Sequence, residues 1–294
     1  MIRIIRLIGS VLIVLVGFVL GILVNNALAD MFIGNSEWIG AIAGTVGHLA
    51  VFLLALFLAS KVEGKRIEDY GVSVRGKDWG YLAGGLVVGI GVFLLITSPL
   101  YLTGAYRLDS GNANIVPLIT SFILFIAVGA SEELLFRGFF QHQMLRFGPL
   151  IAMIGSAALF ALLHGLNPNM TFLAVFNIFL AGCFFSALIY STGSLFTAIG
   201  AHITWNWTQG AILGIPVSGT QEQGFFSTLI QSQNTIITGG NFGAEASIST
   251  TLFLLVLIVG LLLYAYKTKR MKRECKIFCV NEKIHTKKEV ASVE

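Results

Sequence analysis

Apolar residues in this chain gather into blocks of about 20, the length at which a helix crosses the hydrocarbon core of a bilayer. Eight such blocks run roughly over 6–27, 38–60, 80–103, 114–136, 150–166, 171–190, 194–214 and 249–266. Each is apolar all round, without the two-residue alternation of a barrel strand, so each reads as a helix. Only 12% of the 294 residues are charged and 55% are hydrophobic. About 25% charge is usual for a soluble domain, so a soluble globular enzyme is excluded. The expected fold class is all-α: a polytopic membrane protein of about eight transmembrane helices. Residues 1–270 read as one transmembrane domain, with its core at about 115–214, and 271–294 as a basic cytoplasmic tail.

Charge placement orients the chain. Lys and Arg accumulate on the cytoplasmic side of short loops. With both termini inside, 18 of the 19 basic residues fall at inner ends and only Arg107 lies outside. The expected location is therefore the cell membrane, multi-pass, with N- and C-termini cytoplasmic. Arg3, Arg6 and the stretch before Ala27-Leu28-Ala29 resemble a signal peptide, but the apolar run from Leu7 to Val24 is longer than the usual 7–15 residues. A retained helix is expected. The basic tail reads as an anchor against anionic membrane lipid, with no nucleic-acid partner. Cys183 sits in an apolar run, and Cys275 and Cys279 in the tail, which gives no disulfide framework and no C-x-x-C pair. Gly40-x-x-x-Gly44 and Gly85-x-x-x-Gly89 look like close helix-packing faces. The 215–248 segment, rich in Gly, Gln, Ser and Asn, reads as an external loop of open order.

An ionisable side chain inside a span is costly, and by default marks a functional site. Of 15 acidic residues only Glu132 and Glu133 fall within a predicted span. On a helix Glu133 and Arg137 are i,i+4 neighbours suited to an ion pair, while Glu132 is rotated about 100° away and stays free. In Phe160-x-x-x-His164 an aromatic ring lies one turn from an imidazole. Gly148-Pro149 reads as the turn between two helices. Glu132 precedes Gly148 by 16 residues and His164 follows it by 16, so an antiparallel hairpin brings them to one depth. The lower part of that hairpin, with Gln141, His142, Gln143 and Arg146, is expected to project into the cytosol. His202 and Asn206 form a second i,i+4 pair, about 13 Å inward from a turn near Gly193. His48 has no such partner and reads as structural.

Glu132, His164, His202 and Asn206 can thus converge from three helices on one cavity. A carboxylate and an imidazole facing one water act together as its general base. A second imidazole and an amide donate to a developing oxyanion. Amide hydrolysis by activated water is the reaction these groups suit best. Glu132, His164 and His202 also make a known zinc ligand set, so possible zinc stays open, although the base-and-oxyanion reading does not require it.

The order E-E-x-x-x-R, F-x-x-x-H, H-x-x-x-N across membrane helices resembles the CPBP family of intramembrane proteases. That family includes the type 2 CAAX prenyl endopeptidases and the bacterial self-protection (Abi) proteins. The resemblance implies that Glu132 with His164 activates water and that His202 and Asn206 form the oxyanion hole. It gives Glu133, Arg137 and Phe160 supporting roles, with a peptide or membrane protein as substrate. Names in the family say metalloprotease. The alternative is a non-catalytic membrane partner or bacteriocin-immunity protein on the same scaffold.

Overall fold

The computed structural model describes residues 2–33, 36–72, 76–111, 114–221 and 223–271. The expected tail, with Cys275 and Cys279, lies beyond those residues apart from its first position, as does Arg75. Among the described residues, eight helices of twelve residues or more occupy the eight expected positions. They are α1 (Ile2–Asp30), α2 (Glu37–Glu63), α3 (Gly76–Leu102), α4 (Ile115–Glu133), α5 (Pro149–His164), α6 (Phe172–Thr192), α7 (Leu195–Asn206) and α8 (Ile248–Lys267). The protein is all-α and polytopic, with six helical segments among the described residues long and apolar enough to cross a membrane. One of these runs on from α4 as far as Phe147. The other two helices, α5 and α7, are short: 16 residues rise about 24 Å, less than the hydrocarbon core. Length and composition among the described residues single out six spans and leave the expected count of eight unconfirmed.

The helix boundaries follow local chemistry. Asn114, Thr171, Ser194 and Ser247 each accept a backbone N–H at the start of α4, α6, α7 and α8. Gly64 and Gly193 end α2 and α6 in the left-handed conformation. Pro149 opens α5, where its missing N–H costs nothing. Close packing rests on small residues. Gly44 of α2 fits against Asn25 of α1, and Gly85 and Gly89 of α3 lie against the backbone of α7 at Thr197 and Ala201. His48 is buried beside Gly21 and the ring of Phe18, a packing position between α1 and α2.

Hydrogen bonds show which loops share an end of the bundle. At one end Gln143 joins Glu63 and Lys65, Ser10 joins Glu63, Tyr190 Oη donates to the carbonyl of Pro149, and Arg270 donates to that of Ser191. The start of α1, the end of α2, the α4–α5 turn, the end of α6 and the end of α8 therefore meet there. At the other end, β1 (Tyr106–Ser110) pairs antiparallel with β2 (Phe226–Ile230). Tyr106 Oη donates to Thr238, Trp207 Nε1 to Leu118, and Asn167 and Asn169 to Ser218 and Gly219. Burial pushes the Tyr106 phenol up, so it stays a neutral donor.

One point the sequence left open is answered, and two details depart from the sequence reading. The 215–248 segment is ordered over its described residues, with β2, a short helix at Thr235–Thr238 and two 3₁₀ turns. Gln141 is buried and accepts from Ser186 Oγ at 2.7 Å, while Gln143 bonds Glu63, so this part of the hairpin packs against the bundle rather than projecting. Arg137, counted among the basic residues at inner ends, has a side chain with 0% exposure and carries no weight as a topology signal.

Candidate active site

Glu132 and Glu133 end α4, and the chain continues from Leu134 to Gln141 as π-helix. Helix α7 repeats the pattern, ending at Asn206 and continuing as π-helix over Trp207–Ile212. Stretches of π-helix are rare and recur at functional sites. Here each follows directly on a candidate residue.

Glu133 is fully buried and is shared between two partners. Its Oε1 accepts from Arg137 Nη1 at 2.9 Å and lies 2.9 Å from His202 Nδ1. The i,i+4 pair was legible in the sequence; the second bond, which crosses to α7, was not. Arg137 lies 4.5 Å from the centroid of the Phe160 ring and 5.4 Å from that of Phe185, so aromatic faces cover the buried guanidinium. Phe185 also stacks on the His202 imidazole at 4.8 Å with 14° between planes. Nothing in a phenylalanine-rich run singles that residue out.

Glu132 points the other way. Its Oε2 lies 3.8 Å from His164 Nε2 and 3.8 Å from His202 Nε2, too long for a direct hydrogen bond and suited to one bridging water. The same Oε2 is buried without a hydrogen-bond partner. His164 Nδ1 lies 2.8 Å from the carbonyl oxygen of Phe160. That oxygen can only accept, so Nδ1 carries a proton and donates, and Nε2 is the nitrogen turned toward Glu132.

These groups line a cavity of about 220 Å³. Glu132, Phe160, His164, His202 and Asn206 all border it, so the four candidate catalytic residues share one cavity. Apolar walls come from Leu124, Phe125, Val128 and Ile178. Ser218, Thr220 and Glu245 add a rim that the sequence reading missed. Glu245 Oε2 holds that rim by accepting from Ser218 N at 2.6 Å and Ser218 Oγ at 3.1 Å. Among the described residues no three His, Cys, Asp or Glu side chains are grouped to hold a metal ion, so the donors as placed do not fit one.

Residues 114–208 match the family model of the Rce1-like type II CAAX prenyl endopeptidases. The motif resemblance holds over this segment, which carries all four candidate catalytic residues. The match supports a CAAX-type intramembrane endopeptidase and covers about a third of the chain. No curated protein and no solved structure matches the chain.

Proposed function

We propose that the protein is an intramembrane endopeptidase that hydrolyses a peptide bond with water activated by Glu132 and His164. The observation that carries this reading is Glu132 Oε2, without a hydrogen bond and held 3.8 Å from both Nε2 atoms in a cavity with apolar walls and a polar rim. A water between them gives one proton to the carboxylate–imidazole pair and attacks the scissile carbonyl carbon. The carbonyl oxygen becomes an oxyanion, and His202 Nε2–H and the Asn206 amide donate to it. With Nδ1 engaged by Glu133, that donation requires His202 to be protonated on both nitrogens. As the tetrahedral intermediate collapses, the proton returns to the leaving amine. Glu133, Arg137 and Phe160 hold His202 and His164 in place.

Two further elements belong to this reading. The termini lie on the cytoplasmic face, supported by the basic residues gathered at that end, and anionic lipid is the partner of the basic C-terminal segment. The substrate is a peptide or membrane protein. Comparing membrane proteomes of cells that carry the native chain with cells that carry Glu132→Gln tests the reading. Fragments with new N-termini are expected only with the native chain. Identical fragment sets would reject hydrolysis and leave a non-catalytic partner on the same scaffold.

A further inference from the structure

Two cavities open at the end of the bundle opposite the basic residues. Among the described residues, Arg6, Lys61, Lys65, Arg66, Lys77, Arg146, Lys267, Lys269 and Arg270 all lie at the end where the α4–α5 turn meets the end of α2. That end is cytoplasmic by the rule that Lys and Arg are retained inside. The other end, where β1 pairs with β2, carries Arg107 alone among the described basic residues. The catalytic cavity reaches this second end. Helix α5 stops at His164, and the chain turns there through Asn167, which bonds Ser218. Asn167, Ser218 and the exposed Thr220 border the cavity on that side. On the cytoplasmic side of the site, Glu133, Leu135, Phe136 and Arg137 are all buried and close it off.

The second cavity, about 310 Å³, lies on the same face. Pro216 and Gly219 border it, while Val217 and Ser218 of the same turn border the first. Its lining is polar, with Asn169, Gln221, Ser227 and Thr228, and the strand β2 forms one side. An extended chain crossing the 216–219 turn would thus meet an apolar pocket at the cleavage point and a polar one beyond it. Extended segments are what a strand edge recognises through main-chain hydrogen bonds.

We infer that the substrate enters from the extracytoplasmic face, and is an extended segment of an exported or membrane-anchored polypeptide with an apolar residue beside the scissile bond. A lipidated C-terminal tail of a cytosolic protein would have to enter from the closed end. The inference rests on the hydrolase reading above for the word substrate, and on the geometry of the two ends for the direction.

The test uses the full chain with Cys183, Cys275 and Cys279 replaced by Ser, carrying either Thr220→Cys or Phe147→Cys. Phe147 is 58% exposed at the α4–α5 turn. A membrane-impermeant maleimide added to intact cells is expected to label Thr220→Cys, and to label Phe147→Cys only after permeabilisation. The reverse pattern overturns the inference. In a second arm, right-side-out and inside-out vesicles of the unsubstituted chain receive a quenched-fluorescent peptide library. Cleavage is expected from right-side-out vesicles only, and none with Glu132→Gln. Cleavage from inside-out vesicles only overturns the inference. External labelling with no cleavage in either orientation removes the substrate assignment through the hydrolase reading, while leaving the direction of opening intact.

Discussion

Glu133 Oε1 lies 2.9 Å from His202 Nδ1, and this one bond ties the carboxylate pair of α4 to the histidine of α7. Because the same oxygen also accepts from Arg137, a single buried carboxylate fixes both the charge balance and the ring orientation. Its neighbour Glu132 is left to face the cavity. Two adjacent glutamates thus have separate surroundings, one bonded to Arg137 and His202 and the other bordering the cavity.

Substitutions should separate the two roles. Removing one partner of a buried ion pair leaves an uncompensated charge and costs about 3–5 kcal/mol. Glu133→Gln and Arg137→Gln are therefore expected to lower the thermal midpoint and the yield of folded protein in detergent. Glu132→Gln breaks no hydrogen bond, since Oε2 makes none and stands 3.8 Å from each imidazole, so it should melt closer to the native protein than the other two variants while losing turnover. Equal loss of folded protein in all three variants would remove the distinction.

Asn206 and Glu132 should fail differently in the cleavage assay. Losing one oxyanion donor typically costs a factor of about 10²–10³ in turnover. Asn206→Ala should keep that residue of activity at unchanged protein level. Glu132→Ala should fall to background. Glu245, the other carboxylate bordering the cavity, is committed to Ser218 and cannot stand in. Background activity in both variants would argue against Asn206 as a donor.

How much of this was legible depended on contrast. Glu132, His164, His202 and Asn206 stood out because polar groups inside apolar runs are expensive and few. The equal spacing about Gly148 placed two of them at one depth, as the 3.8 Å separation bears out. Glu245 and Ser218 lie in a stretch already rich in polar residues, where one more acid carries no signal. Their role comes from a bond across 27 residues, which no local periodicity records. The pairing of β1 with β2 spans more than 100 residues, and each strand has only five. Phe185 was hidden for the opposite reason, as one ring among many in α6.

The glycines of α3 give a test of how α7 is held. A Cβ at Gly89 would run into Ala201 O and Thr204 Oγ1, next to His202, whereas one at Gly84 meets nothing within 4 Å. Overpacking of this kind costs about 1–3 kcal/mol. Gly89→Ala is expected to lower both the thermal midpoint and turnover by shifting α7. Gly84→Ala should leave turnover unchanged and hold or raise the midpoint, since alanine is the better helix former by up to about 1 kcal/mol. A neutral Gly89→Ala would show that α7 is positioned by other contacts.

Metal dependence is the last point that measurement can decide, and the geometry sets its expectation. Ligand atoms sit about 2.0–2.2 Å from zinc, which brings neighbouring donors of a tetrahedron to about 3.4 Å. Glu132 Oε2 is 3.8 Å from each histidine Nε2, and the side chains are not grouped to hold a metal as they stand. The bonds from His202 Nδ1 to Glu133 and from His164 Nδ1 to the Phe160 carbonyl would orient these rings equally well toward a water or toward a metal. Distance is thus the discriminating feature, and it favours water. Purified protein should cleave without stoichiometric zinc, and strong chelators should leave turnover largely intact. Full and reversible inhibition by a chelator, together with loss of one bound metal per chain in Glu132→Gln, His164→Ala or His202→Ala, would turn the base pair into ligands. Bound metal and cleavage must be read on the same preparation, because adventitious zinc on surface residues would survive all three substitutions.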